Sequence, residues 1–438
     1  MSSTSEILAR LYQRHAFGIK MGLDVEQALL ERLGHPEAAY PCLHVAGTNG
    51  KGSVCAMLES ILRSAGFKTG LYTSPHLVRF NERIRINGQS VSDDELAELL
   101  AIVEAQSLPI EQEHGGRAIT FFEFATAMAF ESFRRHKVDL AVVETGLGGR
   151  LDATNVVSPL VSVITGISLE HTQWLGDTIE AIAAEKGGII KPGRPTVLGS
   201  LPEPALEVLR RMAGERRSRV VFSDEAVTVR RTRQTPVGQT LNIESASEHY
   251  GSVILPLLGR RQMGNVAVVV AALEAAFEST DWRVPVEAVR EGLSRVQWPA
   301  RFQIIRQDPP VILDGAHNPE AADVLVETLR EVYKKRPVGL VVGLCQDKDR
   351  RRFLKAFYGV AEQVWVVSFA HERAVASADL AVSAQVLDCP VTESSVPEAL
   401  RLATEWAKAR QGVVGVAGSL FLAGEVLALT DYANIYGG

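Results

Sequence analysis

The 438-residue sequence has four cysteines, Cys42, Cys55, Cys345 and Cys389, and no CxxC pair among them. All four stand in apolar surroundings, so buried free thiols are expected and disulfides or zinc ligands are not. A metal site would have to use oxygen and imidazole ligands. No apolar run is long enough to span a bilayer, and the stretch MSSTSEILARLYQRHAFGIK lacks the apolar core of a signal peptide. Its basic, amphipathic character is like that of a transit peptide, but Asp24, Glu26 and Glu31 follow closely, and a cytoplasmic protein is expected. Positive charge is not in excess either: the net charge of −6 argues against wholesale nucleic-acid binding. Any anion must be held by local positive groups and backbone amides. Low-complexity tracts and short-period repeats are absent.

What is present is an ordinary globular composition, 46% hydrophobic and 22% charged, in a chain too long for one core. Apolar β-branched runs alternate with helical patterns. YPCLHVAG (40–47) leads into SVCAMLESILRSAGF (53–67), whose apolar residues recur at helical spacing, and KTGLYTSPH follows as a short strand with a polar exit. VDLAVVETG (138–146), SPLVSVITGI (158–167) and RPTVLGS (194–200) are further strand candidates, separated by helical stretches such as FFEFATAMAFESFRRH (121–136). Continuous apolar strands between helices imply a parallel sheet covered on both faces. RVVFSD, AVTVRRTR, QTLNIES and GSVILPL, between residues 219 and 257, are shorter and predict a small β excursion. A second alternating series, PPVILDGAHN, VGLVVGLC, AEQVWVVSF and GVVGVAGS, follows RVQWPARFQII. The expected architecture is α/β, two tandem Rossmann-like parallel-sheet domains at 1–297 and 298–438. The first is a P-loop ATPase-like domain carrying the excursion.

The chemistry begins at HVAGTNGKGS (44–53). A strand-to-helix loop of a parallel α/β unit lies at the carboxyl edge of the sheet, where the helix offers unpaired N–H groups and partial positive charge. Gly47, Gly50 and Gly52 let backbone approach a phosphate, Lys51 adds a point charge, and Ser53 can reach a magnesium ion. Thr48 and Asn49 complete the loop. The match to GxxxxGK[ST] is imperfect, since Gly52 separates the lysine from the hydroxyl. The plain alternative is an ordinary strand–helix turn.

That imperfect loop resembles the phosphate loop of the Mur ligase superfamily, and HVAGTNGKGSVCAMLESIL resembles the folylpolyglutamate synthase/dihydrofolate synthase family. YTSPHLVRFNERIRING (72–88), ETGLGGRLDATN (144–155), LEHTQWLGDTIEAIAAEKGGIIKPG (169–193) and LDGAHNPEA (313–321) resemble further stretches of that family, in family order.

Glu144 ends a predicted strand, His171 follows the next, and Lys186 lies on the helix after that. Neighbouring parallel strands bring their carboxyl ends together, so these residues and Ser74 can converge on the phosphate loop. An acid, an imidazole and a hydroxyl suit one or two magnesium ions. A free ammonium at Lys186 would repel a metal; the resemblance implies that it is carbamylated. Asp314 and His317, at the end of a predicted strand, are placed to face a nucleotide across an interdomain cleft. The resemblance adds Asn265 and Arg301 as ATP contacts. It also implies a dihydropteroate site at Thr120, Phe121, Phe122 and Glu123, and at Arg150, Leu151, Asp152 and Ala153. There the phenylalanines stack a pterin and Asp152 or Glu123 accepts its ring hydrogens; the bland alternative is that both rings belong to the core. Four positions depart from the family pattern: Thr145, Glu170, Arg261 and Ala300, the last standing where glycine is expected.

The resemblance implies an ATP-dependent amide ligase that adds L-glutamate to dihydropteroate, to the glutamate tail of reduced folates, or to both, through an acyl phosphate. Lys51, Lys186, His171 and Arg301 are its expected catalytic groups, with ATP, two magnesium ions and room for a monovalent cation. No nucleic-acid or membrane partner is expected, and a monomer is. Two rival readings are another Mur-type amino-acid ligase and a non-catalytic nucleotide switch.

Overall fold

The computed structural model describes residues 22–113, 118–278 and 280–430, together with residues 9, 11, 12 and 14. Most of the basic opening stretch read above as transit-peptide-like lies outside the described residues. Eight strands form the first sheet: β1 (Cys42–Ala46), β2 (Thr69–Tyr72), β3 (Ile84–Ile86), β4 (Gln89–Ser90), β5 (Leu140–Glu144), β6 (Val161–Ile164), β7 (Thr196–Leu198) and β8 (Val220–Phe222). Their spatial order is β4-β3-β2-β5-β1-β6-β7-β8. Pairing is parallel from β2 through β8, and β3 and β4 close one edge as an antiparallel hairpin.

The period-2 alternation of a strand assigns its side chains to opposite faces. Leu43, Val45, Leu140 and Val142 enter one core with the helices Lys51–Ser64 and Arg260–Phe277. Cys42, Ala141 and Val143 enter another with the helix Phe121–His136. Both faces are therefore dry, which is why these strands read as unbroken apolar runs. The cysteines are free thiols; Cys42, Cys55 and Cys345 are buried and Cys389 is partly so.

The excursion is an antiparallel sheet of β9 (Val227–Thr235), β10 (Gly238–Ser245) and β11 (His249–Leu255). It packs Leu241, Ile243, Val253 and Leu255 onto the first core. RVVFSD, grouped with this excursion from its sequence, instead supplies β8 of the large sheet. A three-residue strand beside β7 carries too little pattern to reveal which sheet it joins.

The second unit is built on β12 (Gln303–Gln307), β13 (Pro310–Leu313), β14 (Val338–Val342), β15 (Ala361–Val367), β16 (Val391–Ser394) and β17 (Val413–Ala417). Their order is β12-β13-β17-β14-β15-β16, parallel except for the edge strand β12. The α/β class with two parallel sheets is the one expected. Among the described residues no helix is long and apolar enough to cross a membrane.

Candidate active site

Strand β1 lies between β5 and β6, so the loop leaving β1 meets the ends of both. Thr48 N–H donates to the Gly166 carbonyl at 2.7 Å, and Thr165 Oγ1 donates to the Asn49 carbonyl at 2.8 Å. These contacts fasten the loop to the chain leaving β6. Gly47 has φ 152°, and a Cβ there would fall 2.1 Å from Thr165 Oγ1. At Gly52 a Cβ would fall 2.7 Å from the Trp298 ring, so this glycine lets the interdomain linker lie on the helix Lys51–Ser64. Lys51, at the start of that helix, donates to the carbonyls of Gly47 (3.0 Å) and Thr48 (3.4 Å). Ser53 is buried and accepts from Gln262 at 3.4 Å; Gln262 in turn accepts from Asn265, whose amide lies beside Gly50.

Glu144 ends β5 next to this loop, buried, with its Oε2 accepting the Ser74 N–H at 3.0 Å. Burial raises its pKa, against the pull of Lys51, the Ser74 N–H, Arg301 and Arg83. Lys186 is the last residue of the helix Ile179–Lys186, and its buried Nζ donates to the Gly47 carbonyl at 2.9 Å. Desolvation, and then the charge of Lys51, bring its pKa down to about 7. His171 precedes the short helix Thr172–Leu175 with φ 52°; burial pushes its imidazole down to about 4. Among the described residues no three His, Cys, Asp or Glu side chains gather closely enough to hold a metal ion. Glu144 with the Ser74 hydroxyl nevertheless suits magnesium, which takes one or two carboxylates and completes its shell with water and substrate phosphate.

The second sheet unit reaches this loop directly. Asn318 caps the helix Pro319–Tyr333 and donates to Asn49 Oδ1 at 3.1 Å, while Asn49 donates to Glu320 at 2.9 Å. Arg261 pairs with the other oxygen of Glu320. Glu170 Oε1 accepts His317 Nε2 at 2.9 Å and Lys348 Nζ at 3.0 Å. Burial alone would raise the Glu170 carboxyl; the His317 hydrogen bond and the charges of His317 and Lys348 outweigh it and hold it well below the carboxylate range. Further out, Glu331 receives Arg231 and Arg260. Asn49, Glu320 and Lys348 escaped the sequence reading as interdomain contacts. The Asn-Pro pair at 318–319 was an available cue, because it marks a helix start aimed at whatever lies before it.

Asp314 takes a different place from the one expected. Its two oxygens accept the backbone N–H groups of Phe302 (2.7 Å) and Ala316 (2.8 Å), so it shapes the linker. Burial raises its pKa, with Arg301 opposing. His317 faces Glu170. Arg301 itself does enter the cleft, which is lined by Gly52, Ser74 and Glu144 from the first unit and by Arg301 and Leu420 from the second.

The segments 120–123 and 150–153 are brought together, but their polar groups serve the backbone. Thr120 and Glu123 form a capping box for the helix Phe121–His136. Asp152 accepts the N–H groups of Gly146 (2.9 Å), Leu147 (2.8 Å) and Thr154 (3.1 Å) as well as the Thr154 hydroxyl. Its carboxylate thus holds the loop after Glu144, leaving the expected pterin contact without an acceptor at this residue. Phe121 is buried against Tyr12, Phe80 and Arg83. Phe122 is only partly buried and fills the space that Gly146 leaves open. Arg150 pairs with Glu185 at 2.7 Å; Leu151 is half-buried and Ala153 buried in the turn Ala153–Val156.

Residues 45–273 match the family described as Mur ligase middle domain, and residues 300–420 match Mur ligase, glutamate ligase domain. A dihydrofolate synthase/folylpolyglutamate synthase of Bacillus subtilis is 36% identical over 95% of this chain and 96% of its own. A folylpolyglutamate synthase of Lacticaseibacillus casei is 36% identical over 73% of this chain and 75% of its own. A Mycobacterium tuberculosis folylpolyglutamate synthase complexed with ADP superposes with a TM-score of 0.91 at 33% identity, covering 98% of both chains. An Escherichia coli structure in complex with DHPP and ADP gives a TM-score of 0.86 at 33% identity over 99% of both.

Proposed function

This chain belongs to the dihydrofolate synthase/folylpolyglutamate synthase family of Mur-type ligases, and on that premise we propose how its own residues divide the reaction. It is an ATP-dependent ligase that joins L-glutamate to a folate-type carboxylate. An acceptor oxygen attacks the γ-phosphorus of ATP, the bond from that phosphorus to ADP breaks, and an acyl phosphate forms. The glutamate amine then adds to the acyl carbon, the amine loses its proton, and the carbon–oxygen bond to phosphate breaks.

Lys51 and the N–H groups opening the helix Lys51–Ser64 hold the phosphates, and Arg301 brings positive charge from the opposite wall. Asn265 positions the loop through Gly50 and Gln262. Glu144 and Ser74 would hold one magnesium ion, and His171 with a carbamylated Lys186 a second, supplying charge neutralisation to the phosphates. Because these groups come from both sheet units, closure of the cleft completes the site and excludes water. In this reading the enzyme is a monomer acting in the cytoplasm. Both acceptors are used: dihydropteroate with its pterin end toward Phe122 and the 146–153 loop, and folates in a different register, since their reacting carboxylate lies several bonds further out.

The observation that carries this reading is the cleft in which Gly52, Ser74 and Glu144 face Arg301. Purified protein with ATP and magnesium should release phosphate only when glutamate and either dihydropteroate or tetrahydrofolate are both present. Lys51→Ala should lower that rate by roughly 100-fold or more with the fold intact. Phosphate release that ignores glutamate would defeat the ligase reading, and silence with dihydropteroate alone would restrict the enzyme to extending folates.

A further inference from the structure

A second, open cavity of about 720 Å³ runs along the same helix beyond the catalytic cleft. That size suits an organic ligand. Its polar walls include Glu59 and Arg63 of the helix Lys51–Ser64, Arg85 and Gln89 of the β3–β4 hairpin, and Arg295 and Gln297 of the segment entering the linker. Arg85 also lines the catalytic cleft, where its guanidinium lies 5.4 Å from the Trp298 ring, so the two spaces meet at this side chain. Gly52 in the cleft and Arg63 in the cavity are eleven residues apart, which returns them to one helix face about 16 Å distant.

The charge is lopsided. Three guanidinium groups face one carboxylate, Glu59, which Arg63 meets through Nε at 3.0 Å and Thr69 through its hydroxyl at 2.7 Å. Arg295 also pairs with Glu291, a turn back on its own helix. A guanidinium carries five N–H donors, so one such contact does not exhaust it.

We propose that it binds the poly-γ-glutamyl tail of an extended folate, with successive α-carboxylates on Arg85, Arg63 and Arg295. The inference rests on the ligase reading above. In that reaction the terminal carboxylate must reach the phosphate beside Lys51, so the glutamates already added trail away from it. Each γ-linked unit leaves one free α-carboxylate, giving the chain a regular row of negative charges. The helix face from Gly52 to Arg63, about 16 Å, has room for two or three such units.

The test uses the full chain and penta-γ-glutamate, a tail without a pterin, titrated by calorimetry at low salt. Wild type should bind it, and Arg63→Gln/Arg295→Gln should bind roughly tenfold more weakly, as expected for two partly exposed ion pairs. Added salt should close the gap. In turnover, the double variant should raise KM for a triglutamyl folate by a similar factor while leaving KM for ATP and for a monoglutamyl folate unchanged. A wild type that ignores penta-γ-glutamate, or a double variant that binds it equally well, overturns the proposal. Tail binding without any glutamate-dependent turnover would leave the cavity assignment standing and sink the ligase reading. Turnover without tail binding would do the reverse.

Discussion

Lys51 and Lys186 share one acceptor: the Gly47 carbonyl oxygen lies 3.0 Å from the first Nζ and 2.9 Å from the second. Burial and the Lys51 charge disfavour an ammonium on Lys186, and a carbamate there would replace that repulsion with attraction. Protein equilibrated with ¹³C-bicarbonate should therefore show one carbamate carbon resonance that Lys186→Ala lacks. The variant should lose roughly 100-fold in rate, the scale of a lost charge-stabilising group, and formate or acetate should restore part of it. An unlabelled Lys186 in a fully active enzyme would contradict this.

Asp152 is expected to act through the loop it organises. Asp152→Ala would strand three buried N–H donors, at Gly146, Leu147 and Thr154. At about 1 kcal/mol or more for each, the variant should lose at least about 3 kcal/mol of stability. Urea denaturation measures that loss. Dihydropteroate and folate turnover should fall together, because the loop that Asp152 holds directly follows Glu144, which both reactions need. A selective loss with dihydropteroate and unchanged stability would instead place Asp152 on the pterin.

Ala300 explains a departure from the family pattern. Its φ of 54° lies in the left-handed region, where a glycine would sit without strain, yet its methyl is fully buried against the second unit. Removing about 1–2 kcal/mol of strain is offset by a lost methyl worth about 0.8 kcal/mol and by the backbone entropy of glycine, about 0.5–1 kcal/mol. Ala300→Gly should thus leave stability within about 1 kcal/mol of wild type. Urea denaturation should show Ala300→Val clearly destabilised, since a β-branched residue tolerates this conformation poorly.

Much of this was legible in the chain. HVAGTNGKGS announced the loop through its glycines, and the apolar runs ending at Ala46, Glu144 and Ile164 announced strands that lie side by side. The capping box Thr120–Glu123 shows where legibility stopped: the same four residues spell a helix start and a family substrate segment, and only geometry reveals which bonds the glutamate makes. Asp314 is similar, since a strand-end aspartate reads alike whether it faces a nucleotide or clasps the linker at Phe302. The contacts of Glu320 with Asn49 and of Lys348 with Glu170 were invisible because they join residues more than 170 positions apart with no local pattern to mark them.

His44 sets a pH dependence of stability. It is buried in β1 with Nε2 2.8 Å from the Thr154 hydroxyl, which donates to Asp152 and so accepts from the imidazole. Its Nδ1 has no partner among the described residues. Burial, and then Lys191, push its pKa down to about 3. The unfolded chain takes up this proton near pH 6.5, so between those values the unfolded state holds more protons and stability falls as pH falls. The contribution is complete above about pH 6.5 and diminishes by about 1.4 kcal/mol for each unit below it. From pH 6.5 to 5 that is about 2 kcal/mol, and the corresponding slope should vanish from the denaturation free energy of His44→Gln.

The central claim, that the acceptor carboxylate is phosphorylated before the amine attacks, is tested most directly by oxygen transfer. Dihydropteroate labelled with ¹⁸O in its carboxylate is incubated with the enzyme, ATP, magnesium and L-glutamate, and the released phosphate is analysed by mass spectrometry. In the acyl phosphate the carboxylate oxygen bridges carbon and phosphorus, and amine attack breaks its bond to carbon. The account predicts one ¹⁸O in each phosphate released. Amide product accompanied by unlabelled phosphate would contradict it.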